Sequence, residues 1–208
     1  MGDAAALRDR PATRGRGRLE NYLSARRAAM ARRRLDPALR GGRVLDYGCG
    51  SFPHFLVGCG FAERYGVDQV AAPDPPVPGV RYTRLDIERA DRLPFADGFF
   101  DAVTMLAVFE HIPEPDLVRL LDEVDRVLAP GGQFFMTTPA GWTAPIIDVL
   151  ARLGLISPEE ASEHEAAYSH RMIRGVLGRT GLGVYPARRG SFECGMNNWV
   201  SVRKPGLA

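Results

Sequence analysis

Apolar and polar positions along this chain follow two alternating patterns, one typical of buried strands and one typical of amphipathic helices. Short apolar runs predict five strands, over residues 43–47, 64–70, 80–86, 99–106 and 133–138. The fourth of these runs is strongly apolar, as is typical of a central strand that is covered on both faces. Two further strands are predicted near residues 182–189 and 197–202.

Helical patterns lie before, between and after these strands. A first helix is predicted from about residue 18 to 35, where Leu19, Tyr22 and Met30 fall near one stripe and most arginines lie off it. Pro37 and the Gly41-Gly42 pair end it. The other predicted helices cover residues 53–59, 113–128, 144–153, 158–165 and 169–180, and the proline-rich residues 71–79 form a loop.

The alternation of strands and helices predicts an α/β fold with a parallel sheet and helices on both faces. We expect residues 1–16 to be a disordered basic tail and residues 17–40 a helical extension. Residues 41–208 then form the main domain, in which residues 140–168 are expected to cover a substrate. A length of 208 residues with 45% hydrophobic content is sufficient for one domain with a substantial core.

The net charge of +2 conceals an uneven distribution. Residues 1–43 contain twelve arginines and four acidic residues, so they carry +8, and the remainder carries −6. Such a basic segment is usually a solvated face, but it can also attract phosphates, nucleic acid or an anionic membrane. No apolar run approaches the roughly 20 residues that span a bilayer, and no signal-peptide core is found, so a cytoplasmic location is expected.

Three cysteines without CxxC spacing argue against both a disulfide framework and a zinc site, and no metal is expected. One of them, Cys49, lies in a glycine loop that follows the first strand. This loop runs from Asp46 through Gly48 to Gly50, where glycines permit positive φ and close approach of the backbone to a ligand. A helix beginning at Pro53 would add free N–H groups that suit an anion.

Two cofactor classes compete for this loop. A dinucleotide loop has the spacing G-x-G-x-x-G, and the third glycine is replaced here by Pro53. Asp68 ends the second strand, where a carboxylate can accept hydrogen bonds from a ribose diol in either class. Gln69 beside it is expected to face an adenine edge, and Asp86 and Ile87 end the third strand. Asp46, Asp68 and Asp86 thus lie at the ends of three consecutive predicted strands. A role as helix cap or turn residue explains any one of these acids, but it explains all three together less well.

These residues resemble the class I S-adenosylmethionine-dependent methyltransferases, in particular the broad group that includes the ubiquinone and menaquinone biosynthesis methyltransferases. The resemblance covers roughly residues 40–140. It rests on the glycine loop and on three further segments, LPFADGFFDAV at 93–103, FEHI at 109–112 and LDEVDRVLAPGG at 121–132. It implies a Rossmann-like three-layer sandwich with a seven-stranded, mostly parallel sheet of order 3-2-1-4-5-7-6, whose seventh strand is antiparallel.

The resemblance also implies roles in binding S-adenosylmethionine. The loop residues would hold its methionine end, Asp68 its ribose, and Asp86 with Ile87 its adenine. The backbone at Leu106 and Ala107, after the fourth strand, would line the methionine and ribose. Many members have a third loop glycine at the position of Phe52, so the loop must bend differently here or accept an aromatic ring.

Methyl transfer needs alignment and exclusion of water more than it needs acid–base groups. His111 is the candidate general base if the acceptor must lose a proton, and the alternative is that it orders its loop and caps the next helix. Further residues are candidates for acceptor binding, with packing, surface or turn roles as the alternatives. They are Tyr22, His164, His170, Glu193 and Asn197.

The expected function is S-adenosylmethionine-dependent methyl transfer to a small-molecule acceptor such as a metabolite, a quinone, another lipid-like compound or a natural product. Two alternatives remain open, an RNA or protein methyltransferase that uses the basic N-terminal segment and a non-catalytic scaffold of the same fold. The residues after the fourth strand, 106–109, do not contain the Asn/Asp-Pro-Pro-aromatic motif of enzymes that methylate amino groups of nucleic acids. The sequence decides neither the acceptor atom nor the oligomeric state.

Overall fold

The computed structural model describes residues 18–85, 92–143 and 168–206, and seven strands within them form one sheet. In chain order the strands are β1 (Arg43–Tyr47), β2 (Glu63–Asp68), β3 (Val80–Arg84), β4 (Phe100–Leu106), β5 (Leu128–Pro139), β6 (Ala187–Phe192) and β7 (Asn197–Arg203). Their order across the sheet is β3-β2-β1-β4-β5-β7-β6, and β7 is antiparallel to β5 and β6. The predicted strand order is therefore confirmed.

Helices cover both faces of this sheet. They are α1 (Arg18–Arg34), α2 (Glu114–Val127) and α3 (His170–Leu177), and each matches a predicted helix. Leu45 of β1 belongs to the core cluster that contains the buried face of α2, whereas its neighbour Val44 packs in the cluster that contains α1. This alternation puts successive strand side chains into different layers. No described helix combines the length and apolar character needed to cross a membrane.

The chain leaves β1 towards β2 on one side and leaves β4 towards β5 on the other. These two strands are adjacent and parallel, with Asp46 opposite Thr104. A crevice forms at such a switch point outside the carboxyl ends of the strands, and ligands of open α/β sheets bind there. The fold therefore brings the residues after β1, β2 and β4 to one edge of the sheet.

The helix predicted over residues 53–59 is wrong, because the segment after the glycine loop contains only turns and bends. Pro53 lacks an N–H, and Gly58 and Gly60 have positive φ of 77° and 82°, which is incompatible with a continuing right-handed helix. Arg32 of α1 donates instead to carbonyl oxygens of this turn segment (residues 51–62). Its acceptors are those of His54, Phe55 and Val57, at 2.9, 3.4 and 3.4 Å.

Other boundaries also differ from the prediction, since β2 ends at Asp68 rather than at residue 70, β3 at Arg84 rather than at residue 86, and α3 at Leu177 rather than at residue 180. The sixth strand begins at Ala187 rather than near residue 182, because Gly181–Val184 forms a 3-10 turn and Pro186, without an N–H, follows it. The fifth strand begins at Leu128 rather than at residue 133, because Leu128 pairs with Phe100 before the register shifts. The predicted helices over 144–153 and 158–165 and the predicted tail over 1–16 lie outside the described residues.

Candidate functional site

The glycine loop turns sharply as the chain leaves β1. Gly48 and Gly50 have φ of 73° and 70°, a conformation that side chains other than glycine rarely adopt. A Cβ atom on Gly48 would also lie 2.2 Å from Cγ2 of Val108. Gly48 is thus required both for its backbone conformation and for its close contact with the segment after β4.

Asp68, at the end of β2, holds this loop in place. Its Oδ2 accepts a hydrogen bond from the backbone N–H of Gly50 at 2.7 Å, and its Oδ1 accepts one from Val70 at 3.0 Å. A carboxylate has about four acceptor positions, so two donors do not exhaust its capacity. The residue predicted to bind a ribose therefore also orders the turn beside it.

Asp46 is buried at the end of β1, with 3% of its surface exposed. The hydroxyl of Thr104 on β4 donates to its Oδ1 at 2.6 Å. Burial raises the pKa of Asp46 to about 7, the hydrogen bond from Thr104 opposes this shift, and the charge of Asp68 adds to it. A buried carboxylate that ionises only near neutral pH is suited to receive a positively charged ligand group.

A cavity of about 120 Å³ lies at this edge of the sheet. We call it the loop cavity, and six of the predicted cofactor residues line it together with the candidate base His111. Those six are Asp46, Gly48, Cys49, Gly50, Leu106 and Ala107. Phe52, the unexpected residue of the loop, is not among its lining residues; its buried ring packs edge-on against His54, with centroids 4.8 Å apart.

Three residues that the sequence did not single out for ligand binding also line the loop cavity. Nε of Arg27, Nε2 of His54 and both carboxylate oxygens of Glu110 are buried there without a hydrogen-bond partner among the described residues. Burial lowers the pKa of His54 to about 4, and the charges of Arg32 and Arg27 lower it further, so this imidazole is neutral at physiological pH. Buried polar groups are normally satisfied, so this set is suited to a polar ligand.

The sequence carried only weak signals for these three residues. Arg27 lies off the apolar stripe of α1, which predicts exposure, although its neighbour Ala28 is buried against the sheet. Glu110 belongs to the FEHI segment, but nothing in that segment distinguishes a buried carboxylate from an exposed one. His54 follows Pro53 in a segment that was predicted to be helical.

The remaining predicted residues lie away from the cavity wall or beyond the described chain. Tyr22 is 58% exposed on α1, so it does not pack in the core. His170, on α3, lies 3.4 Å from the hydroxyl of Ser191. Nδ2 of Asn197 donates to Glu193 at 2.6 Å, and Glu193 faces Arg26 of α1.

Gln69 follows β2, and its backbone oxygen accepts from Arg84 at 3.0 Å. Asp86, Ile87 and His164 lie outside the described residues, so their predicted roles stay predictions. Within the described parts of the chain, no group of three His, Cys, Asp or Glu side chains is arranged to hold a metal ion.

The chain matches a family model described as a methyltransferase domain over residues 18–186. It is 34% identical over 114 residues to the ubiquinone biosynthesis O-methyltransferase of Dechloromonas aromatica. The aligned region covers 49% of this chain and 46% of that protein. The chain spans about half the length of the curated relatives it matches.

Solved structures share the fold at low sequence identity. A methyltransferase of Haloferax volcanii, solved in complex with its activator Trm112, superposes with a TM-score of 0.66 at 19% identity, covering 90% of this chain and 92% of that one. An S-adenosylmethionine-dependent methyltransferase of Mesorhizobium loti gives a TM-score of 0.63 at 20% identity, covering 88% and 100%. At these identities the likeness concerns the fold alone.

Proposed function

We propose, from the premise that this chain belongs to the methyltransferase domain family, that it transfers a methyl group from S-adenosylmethionine to a small-molecule acceptor. The observation that carries the proposal is the loop cavity itself. Buried, unpartnered groups of both charge signs surround it beside two glycines with positive φ. A ligand with an ammonium and a carboxylate on one carbon, as at the methionine end of this cofactor, matches such a lining.

The polar groups of the cavity divide by sign. Arg27 supplies a guanidinium for the cofactor carboxylate, whereas the N–H groups of Gly48, Cys49 and Gly50 already donate to Val67 and Asp68. Asp46 and Glu110 supply carboxylates for the ammonium. Asp68 retains acceptor positions for the ribose hydroxyls beyond those used by Gly50 and Val70.

When bound, S-adenosylmethionine supplies a methyl group on a sulfonium that is already an excellent leaving group. The residues of the chain then have to align the acceptor with that methyl and exclude water, a positioning effect worth up to about 7–11 kcal/mol. His111 lines the same cavity, so we assign it the acceptor proton where the acceptor must lose one. With an acceptor that keeps its proton, His111 contributes only to the cavity wall.

The curated relatives support a small acceptor, since several of them are named as ubiquinone biosynthesis O-methyltransferases. The exposed ring of Tyr22 and the Glu193–Asn197 pair lie on elements near the cavity, α1 and the β6–β7 hairpin. We infer that residues 140–168 complete the acceptor site with them. A cytoplasmic location agrees with this function and stays a prediction.

Glu110 provides the sharpest test, because its carboxylate is buried without a partner in the part of the chain that the structure describes. We expect Glu110→Gln to weaken S-adenosylmethionine binding about tenfold, since it removes a charge-assisted hydrogen bond to the cofactor ammonium. The same change should leave the unfolding midpoint equal or higher, because the replaced carboxyl group has no hydrogen bond to lose among the described residues. Isothermal titration calorimetry and thermal unfolding measure the two effects.

Glu114→Gln is the matched control, because Glu114 is an exposed residue on the first turn of α2 and has no contact with the cavity. It should bind the cofactor as the wild type does. A library of small hydroxylated and aminated acceptors, scored by release of S-adenosylhomocysteine, then identifies the acceptor class. Absence of cofactor binding by the intact chain contradicts the enzyme and favours the scaffold; turnover only with RNA or protein favours the basic segment.

A further inference from the structure

A second cavity, of about 650 Å³, lies on the α1 side of the sheet. It runs between the C-terminal end of α1 and the paired strands β6 and β7, and it shares no lining residue with the loop cavity. Arginine side chains from all three elements reach it, so we call it the arginine groove. They are Arg33, Arg34, Arg188 and Arg203.

The fold, rather than any contiguous motif, assembles these arginines. Arg33 and Arg34 end α1, and Arg188 lies opposite Ser201 in the β6–β7 pair. The guanidinium of Arg34 stacks on the buried ring of Trp199, 4.3 Å from its centroid, which fixes its position at the groove floor. Arg33 and Arg188, more than 150 positions apart in the sequence, thereby line the same groove.

The negative charge in the groove is insufficient to balance its four arginines. Asp36 is the one acidic residue among those that line it, and it pairs with Arg203 at 3.2 Å. In the described ranges no carboxylate pairs with Arg33 or Arg188. The groove therefore carries a net charge of about +3, which a concave surface concentrates into a strong local potential.

The shape and chemistry of the groove indicate the ligand. Guanidinium groups recognise phosphate through paired N–H donors, and the volume falls within the range of small-molecule sites. A diphosphate carries about three negative charges at neutral pH, since its last ionisation resembles that of a phosphate monoester. Leu35, Pro37, Pro186 and Ala187 add apolar wall beside the arginines.

We propose that the arginine groove binds a small molecule with two adjacent phosphates, either inorganic pyrophosphate or the diphosphate of a nucleotide. Arg33 and Arg188 contact the phosphates, and the hydroxyl of Ser201 lies in the same wall. This site goes beyond methyl transfer and does not depend on it. It is separate from the position where the cofactor ribose and adenine are expected, at the other end of the strands.

The test compares two adjacent arginines of β6 in the full chain. Side chains at successive strand positions point to opposite faces, so Arg188 faces the groove and Arg189 faces His170, whose pKa is lowered by burial and further by the charge of Arg189. We expect pyrophosphate to bind the wild type, Arg188→Ala to weaken binding about tenfold, and Arg189→Ala to change it less than twofold. Calorimetry at constant ionic strength measures all three.

A second titration distinguishes the two sources of the diphosphate. In protein saturated with S-adenosylhomocysteine, added ADP can bind at the arginine groove but not at the occupied cofactor site. If ADP binds there more tightly than pyrophosphate, the ligand of the groove is a nucleotide. If ADP and pyrophosphate bind with equal affinity, the ligand is the free diphosphate. Arg33→Ala should weaken the binding of both. Equal losses for Arg188→Ala and Arg189→Ala, no binding of either ligand, or binding only of single-stranded RNA would each overturn the proposal, whether or not the cofactor binds.

Discussion

A single residue, Asp46, links the stability of this chain to its binding chemistry. Its carboxylate lies one residue before the end of β1, a strand buried at four of its five residues, and it receives one strong hydrogen bond, from Thr104. Burial is the larger effect, and it raises the pKa to about 7. In the folded chain without a ligand the protonated form thus predominates only below about pH 7, whereas an ammonium beside it would favour the ionised form.

The raised pKa predicts how stability depends on pH. A carboxyl with a folded-state pKa near 7 and an unfolded value near 3.8 stabilises the fold most below pH 4, and this contribution is lost as the pH rises to 7. Asp46→Asn removes this dependence. We expect the free energy of unfolding of the variant, relative to the wild type, to increase by about 2–3 kcal/mol between pH 5 and 8.

Urea unfolding at pH 5, 6, 7 and 8 measures this difference. Asp116→Asn, which replaces a surface carboxylate of α2, is the control and should follow the wild-type profile. A wild type whose advantage over Asp46→Asn grows with pH has the opposite sign and contradicts the raised pKa.

At the scale of elements, α1 supplies hydrogen bonds to backbone carbonyl oxygens that a helix after β1 would satisfy within itself. The turn segment has few internal hydrogen bonds, and Arg32 of α1 satisfies three of its carbonyl oxygens. Arg64 satisfies a fourth, that of Leu56, at 3.0 Å. The free N–H groups expected from a helix N-terminus are therefore absent from the described loop, and its order depends on contacts from elsewhere in the fold.

Arg32→Met should therefore affect both stability and the glycine loop. We expect the free energy of unfolding to fall by about 2 kcal/mol, because buried carbonyls lose a charged donor. Cofactor affinity should fall as well, since the turn segment adjoins Gly50. Arg32→Lys should recover only part of the stability, because one ammonium cannot reproduce the planar guanidinium.

Arg33→Met, at the next position of the same helix, is the control for this series, because Arg33 is exposed and makes no contact with the turn segment in the described residues. Denaturant unfolding and calorimetry with S-adenosylhomocysteine give the two readouts. Equal stability of Arg32→Met and Arg33→Met would contradict a role of Arg32 in holding the turn segment.

For the whole molecule, the sheet order brings four distant segments to the loop cavity. They are α1, the glycine loop, the turn segment and the residues after β4, and Pro139 at the end of β5 also lines the cavity. A ligand there contacts all four at once, whereas β6 is the edge strand of the sheet and none of its residues lines the cavity. Ligand binding should therefore stabilise these four segments more than it stabilises β6.

Hydrogen exchange with and without saturating S-adenosylhomocysteine tests this distribution. We expect slower exchange in α1 and in residues 48–59 and 106–111, with local stabilisation of up to about 2.7 kcal/mol at a hundredfold excess over Kd. The edge strand β6 exchanges through local opening and should be unchanged. Equal slowing in β6, or none in α1, contradicts a ligand held by these four segments.

Local patterning predicted much of this fold. The 3.6-residue repeat of α2 and the apolar runs of β1 and β4 are set by neighbours along the chain, so the sequence indicates them directly. The boundaries of β5 and β6 were missed because pairing partners determine them, Phe100 for β5 and β7 for β6. The turns at 53–59 were missed because their stabilising donor, Arg32, lies about twenty positions earlier.

By itself the sequence determined the seven strands, the helices α1, α2 and α3, the strand order through its family resemblance, and the six glycine-loop and strand-end residues that line the loop cavity. Only the tertiary structure decided that Arg27, His54 and Glu110 face the same cavity without partners, and that four arginines face one groove. The physical reason is that burial and charge balance depend on which distant groups approach one another. A charged residue on a helix predicts exposure until the fold places a sheet or a cavity beside it.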